Sequence, residues 1–212
     1  MKTKLLAAML LATSAIDARA FTIFQNSPVN AWAVQRVTHV AGTNANLGVH
    51  YAPTPADFAM GTKTFLGYAP ADDLYPGHFP SNVHFAGTGM LFTTHVYTAT
   101  GVNLQANFGG DDGHYITVNH GPVLASGGFA VGASITLNLA PGWNDIEMGL
   151  YNGIGPSVIG LFIDDGNGND IPLGDVPHIV VKAVPEPTSL LLMAAGIIGL
   201  GGHSRRKSVS GC

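Results

Sequence analysis

The chain has 212 residues, 46% of them apolar and only 10% charged, with 28 glycines, 13 prolines and a single cysteine. So little charge excludes a long solvated coiled coil, and so much apolar side chain excludes a wholly disordered chain. The formal net charge of −4 offers no basic field for a nucleic-acid backbone. Cys212 alone allows neither an intrachain disulfide nor a zinc site built on several cysteines.

Residues 1–20 read as a secretory signal peptide. Lys2 and Lys4 give a positive start, an apolar run follows, and Ala18-Arg19-Ala20 supplies the small-residue cleavage site. Residues 21–177 are expected to form one secreted domain, long enough to bury a core. Alternation of polar and apolar side chains is its dominant period, strictest at Asn103-Leu104-Gln105-Ala106-Asn107-Phe108 and Ser134-Ile135-Thr136-Leu137-Asn138-Leu139. In chain order the expected strands are residues 47–51, 62–68, 89–97, 103–108, 115–118, 122–124, 134–139, 146–150 and 158–163. Gly, Pro, Asn or Asp separate them at short intervals, and no helix is expected. The fold class is therefore all-β, an antiparallel sandwich or barrel.

Residues 166–177 read as a loop or as the start of a linker, assigned to 178–187, that carries Val184-Pro185-Glu186-Pro187. Residues 187–204 contain no Asp, Glu, Lys or Arg. As a helix those 18 residues span about 27 Å, against a hydrocarbon core of about 30 Å. A short transmembrane helix is therefore placed at 188–204, with Arg205, Arg206 and Lys207 opening a basic cytoplasmic tail at 205–212. An exported start and a basic cytoplasmic end agree on one topology, with the domain on the far side of the inner membrane.

The tail, with Val184-Pro185-Glu186-Pro187, then a short apolar helix, then Arg205 and Arg206, resembles the PEP-CTERM sorting signal. The resemblance implies a Gram-negative exopolysaccharide producer. It also implies an exosortase-type partner enzyme that cuts at or near Pro-Glu-Pro, transient anchoring in the inner membrane, and delivery to the outer surface or extracellular matrix. Two prolines favour the extended, exposed segment a protease needs. A permanent single-span anchor is the alternative.

Between residues 96 and 163 the strand running into Asp111-Asp112-Gly113 is followed by a hairpin turning at Asn119-His120-Gly121. The stretch from Leu139 to Asn144, with Gly142, and the Tyr151-Asn152-Gly153 loop come next. Together these resemble the protective-antigen-type lectin-like β-barrel, whereas residues 21–95 carry no such likeness. In lectin-like members of that family an Asp-Asp pair at the matching strand end binds calcium, which bridges sugar hydroxyls. The resemblance thus implies a calcium and carbohydrate site at Asp111, Asp112 and Asn152, with an exopolysaccharide or other glycan as partner. Calcium takes six to eight oxygens, which paired carboxylates with Asn and backbone carbonyls can supply. Asp-Asp-Gly is also an ordinary turn sequence.

Other candidates are weaker. Asp165, Asn167 and Asn169 have the spacing of an EF-hand start, but Asp170 and Val176 replace the required Gly and Glu, so a surface turn is expected. Asp72-Asp73 reads as a loop. The histidines form no zinc-hydrolase spacing, and His114 and His120 are expected near a turn, with an approach across the hairpin as the alternative. Glu147 is the domain's one Glu, with Asp145 as a candidate second carboxylate for a glycan-active enzyme. Trp32 is expected in the core and Trp143 partly exposed. The function expected is non-enzymatic: an exported surface or matrix protein that binds carbohydrate through calcium. Its rivals are a structural matrix protein and an extracellular glycan-active enzyme.

Overall fold

The computed structural model describes residues 26–40, 52–79, 88–128, 131–151 and 156–183. The expected signal peptide, the strand at 47–51, Asn152, the membrane helix and the basic tail lie outside these residues. No helix among the described residues is long and apolar enough to cross a membrane.

Two antiparallel sheets face each other, which settles sandwich against closed barrel. The first runs β2 (Thr62–Pro70), β1 (Ala31–Thr38), β4 (Thr88–Thr98), β9 (Gly142–Tyr151), β6 (Gly113–Val118) and β7 (Ala125–Gly127), with β12 (Ile179–Lys182) also paired to β4. The second runs β11 (Asp170–Ile171), β10 (Ser157–Asp164), β5 (Val102–Asp111) and β8 (Val131–Leu139), with β3 (Gly77–Phe79) on β10. The strict alternation of β5 and β9 explains the layering. Leu104, Ala106 and Phe108 from one sheet meet Ile146, Met148 and Leu150 from the other in one core, while their odd neighbours face outward. Trp32 and Phe92 complete that core, as expected for Trp32.

The N-terminal half belongs to the same sandwich, because β1 and β2 extend the sheet of β4, β9 and β6. Strand β1 is absent from the sequence reading for a physical reason. Its residues Ala31 to Gln35 are buried on both faces, so alternation, which marks a half-exposed strand, disappears. Outside the first sheet, a five-residue helix α1 (Pro55–Ala59) corrects the expectation of no helix. Pro55 opens it, and the backbone N–H and hydroxyl of Thr54 both donate to Asp57 Oδ2 at 2.8 Å. Its Phe58 packs edge-on to Tyr115, ring centres 5.4 Å apart, and with Leu91, Val37 and Tyr151 forms a second small core on the outer face.

Two further expectations change. The hairpin does turn at Asn119 and His120, whose φ values of 52° and 54° make the two-residue turn that matches strand twist, closed by Gly121 N–H to Val118 O at 2.9 Å. Its returning strand, however, is β7 and not residues 122–124. Pro122 has no N–H to give a ladder, and Val123 and Leu124 are exposed. The segment expected as loop and linker is structured as well. Leu173 opens a single 3₁₀ turn and is buried, and β12 stands where the linker was placed. Val181 of β12 is buried and accepts from Asn30 N–H at 2.9 Å, and Ala183 N–H donates to Pro28 O at 2.8 Å. The chain therefore joins and leaves the sandwich at neighbouring points.

Candidate functional site

The sheet-to-sheet crossing from β5 to β6 consists of Asp111 and Asp112. Asp111 still pairs with Val158 of β10 in the second sheet, whereas Gly113 pairs with Tyr151 of β9 in the first. Beside it, the chain makes the same passage from the end of β9 to the start of β10. Asn152 follows Tyr151 directly and lies outside the described residues, so the structure brings together two of the three predicted site residues. Glycines stand where the strands converge: Gly109 and Gly110 precede the pair, and Gly160 faces Gly109. A Cβ on Gly110 would press to 3.0 Å against His114. His114 is itself buried and its Nδ1 lies 3.0 Å from the Asp112 carbonyl.

The electrostatics follow from that geometry. Asp112 is 2% exposed, Asp111 is half-buried, and the peptide bond joining them is cis. Their side chains are in hydrogen-bonding contact. Burial first, then that hydrogen bond and the charge of Asp112, push the Asp111 carboxyl up to about 7. Protonation of Asp111 relieves the repulsion between two carboxyl groups held this closely. Their hard, anionic oxygens suit calcium, though two carboxylates are short of its six to eight ligands. Among the described residues no group of three or more His, Cys, Asp or Glu is placed to hold a metal.

The remaining candidates resolve individually. The Asp165 loop is a self-contained turn. Its Oδ1 accepts the N–H groups of Asn167 at 2.8 Å and Asn169 at 3.0 Å, and its Oδ2 accepts Asn169 Nδ2 at 2.9 Å. Those bonds hold the carboxyl down at about 2. Asp73 Oδ1 caps Tyr75 N–H in a similar turn at 2.9 Å. His114 and His120 do not pair: His114 turns in toward Asp112, while His120 lies in the open with its Nε2 3.2 Å from Asp145. Asp145 also lies 2.8 Å from His95 Nδ1. Glu147 accepts the Tyr115 hydroxyl at 2.6 Å; burial and the Glu147 charge push that phenol far up. Beside Glu147, a cavity of about 200 Å³ opens between α1 and the sheet, lined also by Phe58, Lys63, Leu91, Thr117 and His120.

Sequence reasoning missed both the cavity and the His114 contact. The cavity has no local signal, since it joins α1 to separate strands, and the His114 contact, though only two residues long, depends on how the crossing at Asp112 turns. Asn144, noted only as part of a motif, is buried and locks the β8–β9 turn. Its Nδ2 donates to Ala140 O at 2.8 Å and Gly142 O at 3.2 Å, and its Oδ1 accepts Ala140 N–H and Asn119 Nδ2, each at 2.9 Å.

Comparison with known proteins adds to this picture. Residues 183–207 match the model of the PEP-CTERM protein-sorting motif, a span that includes Val184, Pro185, Glu186, Pro187, Arg205 and Arg206. That motif marks an exported protein. No curated protein sequence matches the chain. Among solved structures, the PA14 domain of the MpAFP antifreeze protein superposes with a TM-score of 0.51 at 13% identity, covering 76% of this chain and 95% of that one. The A domain of epithelial adhesin 6 from Candida glabrata, solved with Galβ1-3GlcNAc, gives 0.47 at 11% identity over 79% and 92%. A PA14 sugar-binding domain from an RTX adhesin gives 0.35 at 11% over 68% and 95%. The chain carries a PEP-CTERM protein-sorting motif at its C-terminal end and, ahead of it, a two-sheet domain of the PA14 fold.

Proposed function

We propose that the exported domain binds carbohydrate through a calcium ion held by Asp111 and Asp112 at the sheet crossing, with Asn152 of the following loop as a third oxygen donor. The carrying observation is the contact between the two carboxyl groups. At neutral pH that contact is unfavourable to both negative charges and favourable to a divalent cation. Bound there, calcium would supply a site for vicinal sugar hydroxyls, and the protein's own part is to hold the two carboxylates against a glycine-lined edge. A binding role, not an enzymatic one, is supported by the engagement of the acidic side chains of β9: Glu147 by Tyr115, and Asp145 by two imidazoles. The expected site of action is the cell surface or extracellular matrix, after processing near Pro-Glu-Pro by an exosortase-type enzyme.

Titration calorimetry with calcium, followed by a glycan array on the wild type and on Asp112→Ala, tests the proposal. Calcium binding and calcium-dependent glycan binding are expected in the wild type and lost in the variant. Absence of both from the wild type leaves a structural matrix protein as the better reading. Mature protein that still carries Cys212 outside the inner membrane would sink the processing step.

A further inference from the structure

The outer face of the first sheet is covered in one half and open in the other. At the covered half, α1 seats Phe58 over Leu91 and Tyr115. Beyond the helix, strands β12, β4 and β9 expose every second side chain in rows set by their register. One row is Val180, Tyr97 and Trp143, which are 53%, 39% and 54% exposed, with the Tyr97 and Trp143 ring centres 5.4 Å apart. The next is Lys182, His95 and Asp145, where His120 joins from the hairpin turn. The third is Thr93 and Glu147, of which Glu147 lines the 200 Å³ cavity. Rows two residues apart along a strand are about 7 Å apart, so about 14 Å separates the aromatic row from the cavity row.

We infer that this strip is a second carbohydrate site, separate from Asp111 and Asp112, which takes a neutral oligosaccharide lying along β4 and β9. Its composition specifies the ligand class. The exposed rings need a ligand with an apolar face, which the C–H face of a pyranose presents. The Asp145 carboxylate and its two imidazoles, one row on, place acceptors and donors at the height of ring hydroxyls. Lys63 and Lys182 balance Asp145 and Glu147, so the strip has no net charge of its own. Residues 21–184 hold three basic against eleven acidic residues, which opposes a polyanionic chain. A second protein copy fits less well. A stable interface uses roughly 20–30 residues a side, far more than three exposed apolar side chains rimmed by charge.

The chain's two tryptophans make the test direct, because Trp32 is buried at 1% exposure and Trp143 is open. Iodide quenching of the full chain is measured in EDTA, so that the carboxylate pair holds no calcium and the two sites can fail separately. Probes are glucose oligomers of one to four units, in β-1,4-linked and β-1,3-linked series. Protection of Trp143 is expected to tighten at least tenfold from the monosaccharide to the trisaccharide. Tyr97→Ala and Asp145→Ala should each weaken it at least tenfold, and Asp112→Ala should leave it unchanged. Absence of protection by either series overturns the inference, as does loss of protection in Asp112→Ala. Protection that grows with protein concentration without sugar would assign the face to a second copy. Shortening of the oligomers would make the strip catalytic. Near-ultraviolet circular dichroism confirms that each variant is folded.

Discussion

At the scale of single residues, Asn144 and Asp111 have opposite roles. Asn144 is fully buried with its amide engaged by five partner groups, so its removal strands backbone groups that have no water to turn to. Asn144→Ala should cost about 2–4 kcal/mol, read as a shift in urea midpoint, given about 1–3 kcal/mol for each buried group left unpaired. Asp111 carries an unfavourable charge that only a proton or cation relieves. Its unfolded value is the ordinary 3.8 and its folded value about 7, so between those limits the folded state holds the extra proton. The resulting stability is full below pH 4 and is lost as pH rises toward 7. Relative to Asp111→Asn, the wild-type melting temperature in EDTA should therefore fall across pH 4 to 7, and excess calcium should remove the decline. An EDTA difference that climbs with pH would contradict the assignment. The sequence makes the pair itself legible, as two adjacent carboxylates in a sparsely charged chain. It does not make legible the packing of Gly109 against Gly160 and of Gly110 against His114, because that arises where β5, β6 and β10 converge.

Elements that expose one face were legible, and elements covered on both faces or very short were not. Strands β5, β8 and β9 alternate because one side of each meets the core and the other meets solvent. Strand β1 is hidden by Ala31, Ala33 and Val37 packing outward as well as Trp32 and Val34 inward. Strand β12 is four residues long and follows Pro177, so punctuation dominates its pattern even though Val181 is buried. Its energetic weight is testable. Val181→Asp, placing a charge against the core, should destabilise by about 3 kcal/mol or more or prevent folding, whereas the exposed neighbour Val180→Asp should change stability by less than about 1 kcal/mol. Equal urea midpoints for the two would show β12 to be a peripheral attachment. Gly149 gives a second check on the outer layer. A Cβ there would overlap the Tyr115 ring, and Gly149→Ala should loosen the packing of Tyr115 on Phe58, visible as altered near-ultraviolet circular dichroism.

For the molecule as a whole, one core bounded by both sheets predicts one unfolding event. Strands from the first and the last third of the chain share a neighbour, since β1 and β12 both pair with β4. Tryptophan emission and far-ultraviolet circular dichroism should therefore trace coincident urea transitions, and a separate early transition would indicate that β1 and β2 form an independent unit. The acidic balance also takes on a more definite meaning at this scale. Of the acidic side chains, Asp57, Asp73, Asp164 and Asp165 are occupied in capping turns, whereas Asp111 with Asp112, and Asp145 with Glu147, are the two places where carboxylates gather on neighbouring positions of the sheets.

The hydrogen bond from Ala183 to Pro28 has a mechanical consequence. With both connections emerging side by side, a leader and a tail held by one bilayer would not pull across the sandwich. Severing either connection leaves every strand in place, and a circular permutant joining residue 183 to residue 28 through a short flexible link should fold to the same structure.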